Sequence, residues 1–203
     1  MAELRVGPTF AAEVARGLPT AVTLASASAD TTAVLAGALG TPSFRPYTAS
    51  DLVGAEVGGA LKNVIAIACG IVEGRTLGQN ARAAIIARGL AEIARFASAL
   101  GADPRTLMGL SGLGDLTLTC TSTASRNYSL GAALGNGASY AEAIEGKDSV
   151  AEGATTAPAV LTRAAALGVE MPICAAVTAI LYDGASVEET ITEILARPLR
   201  AED

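Results

Sequence analysis

From Gly54 to the carboxyl terminus the chain is written almost throughout in helical periodicity, and nothing else in it narrows the open folds so far. Apolar residues recur at spacings of three and four over 54–73 and again in "NARAAIIARGLAEIARFASALG" (80–101), where Gly101 closes the run. Asp103 followed by Pro104 reads as an N-cap and a proline at the first helical position. "SYAE" (139–142) and "SVEE" (186–189) fit the capping-box pattern, Pro172 opens a helix over 172–183, and Gly168 and Gly184 close the helices before them. The expectation is an all-α domain over 54–203. Alanine and glycine dominate the small and apolar residues and aromatics reach only 3%, which favours helices whose backbones approach closely over large flat sheets.

The first fifty residues read differently. "AVTLASA" (21–27) and "SFRPYTA" (43–49) have the length and composition of strands, with "DTTAVLAGALG" (30–40) between them as a short helix capped at Asp30 and stopped at Gly40. Such a β-α-β unit belongs in a larger parallel sheet covered on both faces, so residues 1–53 read as the remnant of something bigger. No fixed-period repeat is visible.

Several function classes drop out. The net charge is −6 and the 14 basic residues are scattered, which disfavours nucleic acid as a partner. No apolar run approaches the roughly 20 residues of a membrane span; the longest, Val64–Val72 and Met171–Tyr182, read as buried helices. "MAELRVGPTF" lacks the apolar core of a signal peptide, and Cys69, Cys120 and Cys174 form no C-x-x-C pair, so a reducing cytoplasm fits better than a disulfide framework or a zinc site. There is no histidine, which removes the Ser–His and Cys–His nucleophiles and the usual metal ligands; no metal is expected, and acid–base work falls to Lys, Asp, Glu or Tyr.

Three stretches carry polar groups that a fold alone does not require. In "GGALKNVIAIACGIVEG" (58–74) one charge, Lys62, sits on a helix with Ala55, Gly58, Gly59, Ala66 and Cys69 on its side, while Val57, Leu61, Val64, Ala68 and Ile71 face the other way toward a core. No carboxylate stands three or four residues from it, so an intrahelical ion pair is excluded. Lys62 reads either as a snorkelling lysine on a solvated edge or as an amine in a partly desolvated pocket that exchanges a proton. In "GLSGLGDLTLTCTSTASRNYSLG" (109–131) Asp115 sits in a glycine-rich turn, and Ser125 N-caps a helix whose start, with Arg126 and Asn127, suits a phosphate; an ordinary capped helix with a surface arginine is the plain alternative. At the front, Gly7 and Pro8 end a strand and Thr9 offers a hydroxyl at its carboxyl end, where ligands of open α/β sheets collect.

Together, "GPTFAAEVARGLPTAV", "GGALKNVIAIACGIVEG", "GLSGLGDLTLTCTSTASRNYSLG" and "VAEG" closely resemble, in order and separation, the bacterial NAD(P)-dependent sn-glycerol-3-phosphate dehydrogenases. The resemblance implies a mainly α fold: an all-helical carboxyl-terminal substrate domain of the 6-phosphogluconate-dehydrogenase-like type at 54–203, preceded at 1–53 by a β-α-β remnant of a Rossmann domain. It implies reversible hydride transfer between NAD or NADP and dihydroxyacetone phosphate, giving sn-glycerol 3-phosphate for phospholipid synthesis. Lys62 falls on the family's proton acceptor; Gly7, Thr9, Lys62, Asp115, Ser125, Arg126 and Asn127 fall on substrate contacts; Ala11, Arg126, Val150 and Glu152 fall on cofactor contacts. The G-x-G-x-x-G of the family's Rossmann half is absent, since "GLSGLGD" follows a helix rather than a strand, so this stretch alone is expected to be inactive. The further expectations are a cytoplasmic protein, a small-molecule substrate, no nucleic acid, no membrane span, and self-association as a homodimer through an exposed sheet edge. A related 3-hydroxyacid-type dehydrogenase and a non-catalytic helical binding module are the alternatives.

Overall fold

The computed structural model describes residues 5–7, 9–146 and 151–197. Strand β1 (Arg5–Val6), helix α1 (Ala11–Ala15), strand β2 (Thr20–Ala25), helix α2 (Ala29–Leu39) and strand β3 (Phe44–Ala49) come first. β2 and β3 pair in parallel, Thr20 opposite Phe44 through Ala25 opposite Ala49, with α2 as the crossover between them. β1 runs antiparallel to β2, a pairing the β-α-β pattern did not contain. Val22, Leu24 and Ala25 are fully buried in β2, whereas β3 carries Pro46, tolerable because among the described residues β3 pairs on one side only. The cap of α2 is Ser28 rather than Asp30: its hydroxyl accepts the Thr31 N–H at 3.2 Å, and Asp30 instead lies in the first turn, where its charge complements the helix dipole.

Ser50 and Asp51 then lead into the longest helix, α3 (Leu52–Gly74), which begins two residues before the apolar spacing does because Asp51 caps it, Oδ1 accepting the Gly54 N–H at 2.9 Å. There follow α4 (Gly78–Ala99), α5 (Pro104–Leu107), a π-helical turn (Leu110–Gly114), α6 (Asp115–Cys120), α7 (Arg126–Gly135), α8 (Tyr140–Ile144), α9 (Glu152–Ala166), α10 (Pro172–Tyr182) and α11 (Val187–Leu195). The expected caps at Asp103, Ser125, Ser139 and Ser186 all accept a backbone N–H from their own first turns, and Ser139 and Glu142 form a reciprocal box. Gly101, Gly168 and Gly184 adopt φ of +88°, +66° and +70° just past the helices they close.

The two-sided reading of α3 needs correction. Leu61, Val64, Ile65, Ala66, Ile67 and Cys69 are all at most 1% exposed, so both flanks of the helix are covered by α4, α6, α7, α9 and α10. A helix apolar all round is a core helix. α3 is long and apolar enough to cross a membrane by length and composition, but 67% of its apolar window is buried inside this bundle. Its strip of small residues lets neighbouring backbones in. Gly70 and Gly74 face Gly131 and Gly135 of α7, and a Cβ at Gly131 would fall inside the contact radius of the Ile67 carbonyl. That backbone-to-backbone crossing brings the start of α7 beside the middle of α3.

α10 poses a separate problem, because Met171 offers its first turn no side-chain cap. Glu92, from the buried face of α4, supplies one across the bundle: its carboxylate accepts the Ile173 N–H at 2.7 Å and the Cys174 N–H at 3.4 Å.

Candidate active site

Lys62 projects from the third turn of α3 toward the start of α6, where its Nζ donates to Asp115 Oδ2 at 2.5 Å. The lysine side chain is 22% exposed and the aspartate 6%. Asp115 is therefore not in an open glycine-rich turn. The glycines wind a π-helical turn and Asp115 is the first residue of α6, held on the lysine's side because Gly112 packs against the Leu107 carbonyl and Gly58 against the Ser111 carbonyl. The Thr119 hydroxyl donates to the Asp115 carbonyl at 2.6 Å and lies 3.5 Å from its Oδ1. Beneath the pair, the hydrogen bond with Cys69, together with burial, pushes the Cys120 thiol far above its ordinary range, so this sulfur is neutral and no nucleophile.

Asn63, next to Lys62, ties that pair to the other candidates. Its Oδ1 accepts from Asn127 Nδ2 at 3.0 Å, and its Nδ2 donates to Glu152 Oε2 at 3.2 Å. Asn127 Oδ1 accepts the Gly153 N–H at 2.8 Å, fastening the first turn of α9 to that of α7. Glu152 Oε1 stands 3.7 Å from Arg126 Nη2, both side chains more than half exposed. Lys62, Asp115, Asn127, Arg126 and Glu152 thus share one polar region where α3, α6, α7 and α9 meet. Ser125, 6% exposed, turns its oxygen onto the Tyr128 N–H at 3.3 Å as the cap of α7.

The front stretch reaches the region through backbone. The Gly7 N–H donates to the Thr23 carbonyl at 3.1 Å, and a Cβ on Gly7 would lie 3.4 Å from Ser111 Cα, against the turn that delivers Asp115. Thr9 accepts a hydrogen bond from the Thr20 hydroxyl at 3.1 Å, and Ala11 is an exposed residue opening α1, with no recorded bond to the lysine pair. Val150 lies outside the described residues. Among the described residues no group of three or more His, Cys, Asp or Glu could hold a metal ion.

The sequence reading passed over Asn63. An amide with no polar residue three or four positions away on its own helix needs a partner from another element, and that was the available signal.

Residues 51–192 match the family described as the NAD-dependent glycerol-3-phosphate dehydrogenase C-terminus. Over 196 residues, 97% of the chain, it is 60% identical to the glycerol-3-phosphate dehydrogenase [NAD(P)+] of Methylobacterium radiotolerans and 58% identical to that of Caulobacter vibrioides, covering 58% and 59% of those proteins. The crystal structure of glycerol-3-phosphate dehydrogenase from Coxiella burnetii superposes with a TM-score of 0.92 at 43% identity, over 97% of this chain and 60% of that one. The chain spans about three fifths of the length of the curated relatives it matches.

Proposed function

Because the chain belongs to the NAD-dependent glycerol-3-phosphate dehydrogenase family, we propose that residues 54–203 form the substrate-binding and catalytic part of an enzyme interconverting sn-glycerol 3-phosphate and dihydroxyacetone phosphate, with residues 1–53 belonging to its cofactor domain. The observation that carries this reading is the 2.5 Å contact between Lys62 and Asp115, linked through Asn63 to Arg126 and Asn127.

The roles follow from the chemistry of each group. In oxidation the C2 hydroxyl of the triol loses its proton to Lys62 Nζ; in reduction the ammonium returns a proton to the C2 oxygen. Asp115 aims the amine and compensates its charge in a mostly buried position, which fixes the line of proton transfer. Arg126, at the open start of α7, meets the phosphate dianion, with Asn127 and Ser125 shaping that end and Gly7 and Thr9 closing the front. The exposed Arg126 guanidinium suits the pyrophosphate of a dinucleotide and the Glu152 carboxylate suits its hydroxyl or amide donors, at the adjoining starts of α7 and α9, to which the family pattern adds Ala11 and Val150. When bound, the nicotinamide of NAD or NADP supplies or takes up the hydride at C2. A cytoplasmic location and a homodimer formed through the open side of β3 belong to the same proposal.

The test is Lys62→Ala in the protein carrying its cofactor domain, assayed with dihydroxyacetone phosphate. We expect kcat to fall on the order of 10²- to 10⁴-fold with KM changing by less than about tenfold. Turnover near that of the parent protein would refute the assignment.

A further inference from the structure

We propose that Asp51 is a positioning residue for the Lys62–Asp115 pair, its carboxylate setting where the π-helical turn delivers Asp115; this rests on the reading of that pair as the proton-transfer site. Each oxygen of Asp51 is committed to a different helix. Oδ1 accepts the Gly54 N–H and caps α3, while Oδ2 accepts the Asp103 N–H at 2.9 Å. Asp103 in turn caps α5 through the Arg105 N–H at 2.9 Å. One side chain therefore joins the amino ends of two helices that are 52 residues apart in sequence.

From that joint the segment 103–115 runs alongside α3 and meets it at three levels. At the first, Asp51 holds Asp103. At the second, the Ser111 carbonyl presses on Gly58, where no Cβ could stand. At the third, Asp115 meets Lys62. Asp51, Gly58 and Lys62 are spaced seven and four residues apart, which places them on one stripe of α3 at 100° per residue. Between the rungs the segment is stiff: Leu107 is fully buried and Gly112 packs onto its carbonyl. Gly54 fits the same design, since a Cβ there would collide with the Asp51 carboxylate and lie 3.0 Å from Thr106 Cβ. Loosening the first rung lets the segment slide along the stripe, and the carboxylate at its far end shifts against the amine.

Two substitutions separate the tie from the cap. Asp51→Asn retains an oxygen for Gly54 but turns an NH2 toward the Asp103 N–H; Asp51→Ser retains the cap and is too short to reach Asp103. In both we expect amide exchange of residues 110–116 to quicken by about tenfold or more while the middle of α3 and α4 stays protected. In the protein carrying its cofactor domain, kcat falls on the order of tenfold to 100-fold with KM for dihydroxyacetone phosphate within about twofold. Unchanged exchange at 110–116 in both variants overturns the tie. Faster exchange with undiminished kcat, in a protein where Lys62→Ala abolishes turnover, overturns the positioning role. If Lys62→Ala itself leaves turnover intact, the assignment of the pair has failed and the positioning role falls with it, whereas the exchange measurement still decides the tie on its own.

Discussion

Asp115 and Glu92 are 4% and 2% exposed, the two acids sunk deepest among the described residues, yet the bundle holds them by opposite means. Asp115 lies 2.5 Å from an ammonium. Glu92 has no cation within salt-bridge distance among the described residues; backbone N–H groups at the start of α10 face it, with the Cys174 thiol beside them and the charges of Arg95 and Arg197 farther off. Burial outweighs those helpful groups and pushes its carboxyl up to about 7. A carboxylate sealed beside a cation at a helix junction can manage a mobile proton, whereas one sealed against a helix start is a fastening. Depth of burial therefore does not mark the site; the partner does.

Neutralising each acid in turn should give the widest separation between the two. Asp115→Asn leaves Lys62 without its counter-charge, and we expect kcat with dihydroxyacetone phosphate to fall on the order of 100-fold or more in the protein carrying its cofactor domain. Glu92→Gln preserves an acceptor for the Ile173 N–H and touches nothing near Lys62, so kcat should stay within about twofold. Equal losses from the two variants would erase the distinction between a working acid and a fastening one.

How much of this was legible beforehand follows the range of the interactions. Helices and caps rest on contacts within four residues, and Asp103, Ser125, Ser139 and Ser186 declared themselves in the sequence. The π-helical turn did not, because its width comes from Gly112 on the Leu107 carbonyl and Ser111 on Gly58, contacts that no local period records. The burial of α3 on both sides was hidden for a related reason: Ala66 and Cys69 lack bulk, and periodicity counts bulk. Lys62 stood out as a lone charge and Asp115 as a lone acid among glycines, but the two lie 53 residues apart and no local spacing joins them. Glu92 was masked by Arg88 and Arg95, one turn to either side, which give that part of α4 the look of a solvated face.

Removing the fastening tests its strength. Glu92→Leu strands the Ile173 and Cys174 N–H groups in a buried place where α10 has no cap of its own, and should lower unfolding free energy by about 2 to 3 kcal/mol in denaturant titrations near pH 6. A loss below about 0.5 kcal/mol would show the cap to be dispensable. Restoring the acceptor with Glu92→Gln should recover most of the difference.

The subtlest consequence is a pH dependence of known sign. Glu92 titrates at about 7 in the folded protein against an ordinary value of 4.5, so the folded state binds its proton more tightly than the unfolded chain does. Stability contributed at this site is therefore greatest below pH 4.5, declines as pH rises between 4.5 and about 7, and levels off above that. Glutamine resembles the protonated acid and does not titrate. Subtracting the Glu92→Gln curve from the parent curve cancels every other titrating group and isolates this one. The parent protein should match the variant near pH 4 and be less stable than it at pH 8 by an amount on the order of 3 kcal/mol. Parallel curves across that interval would mean that the Glu92 carboxylate is as well satisfied as Asp115, and the contrast between them would collapse from the other side.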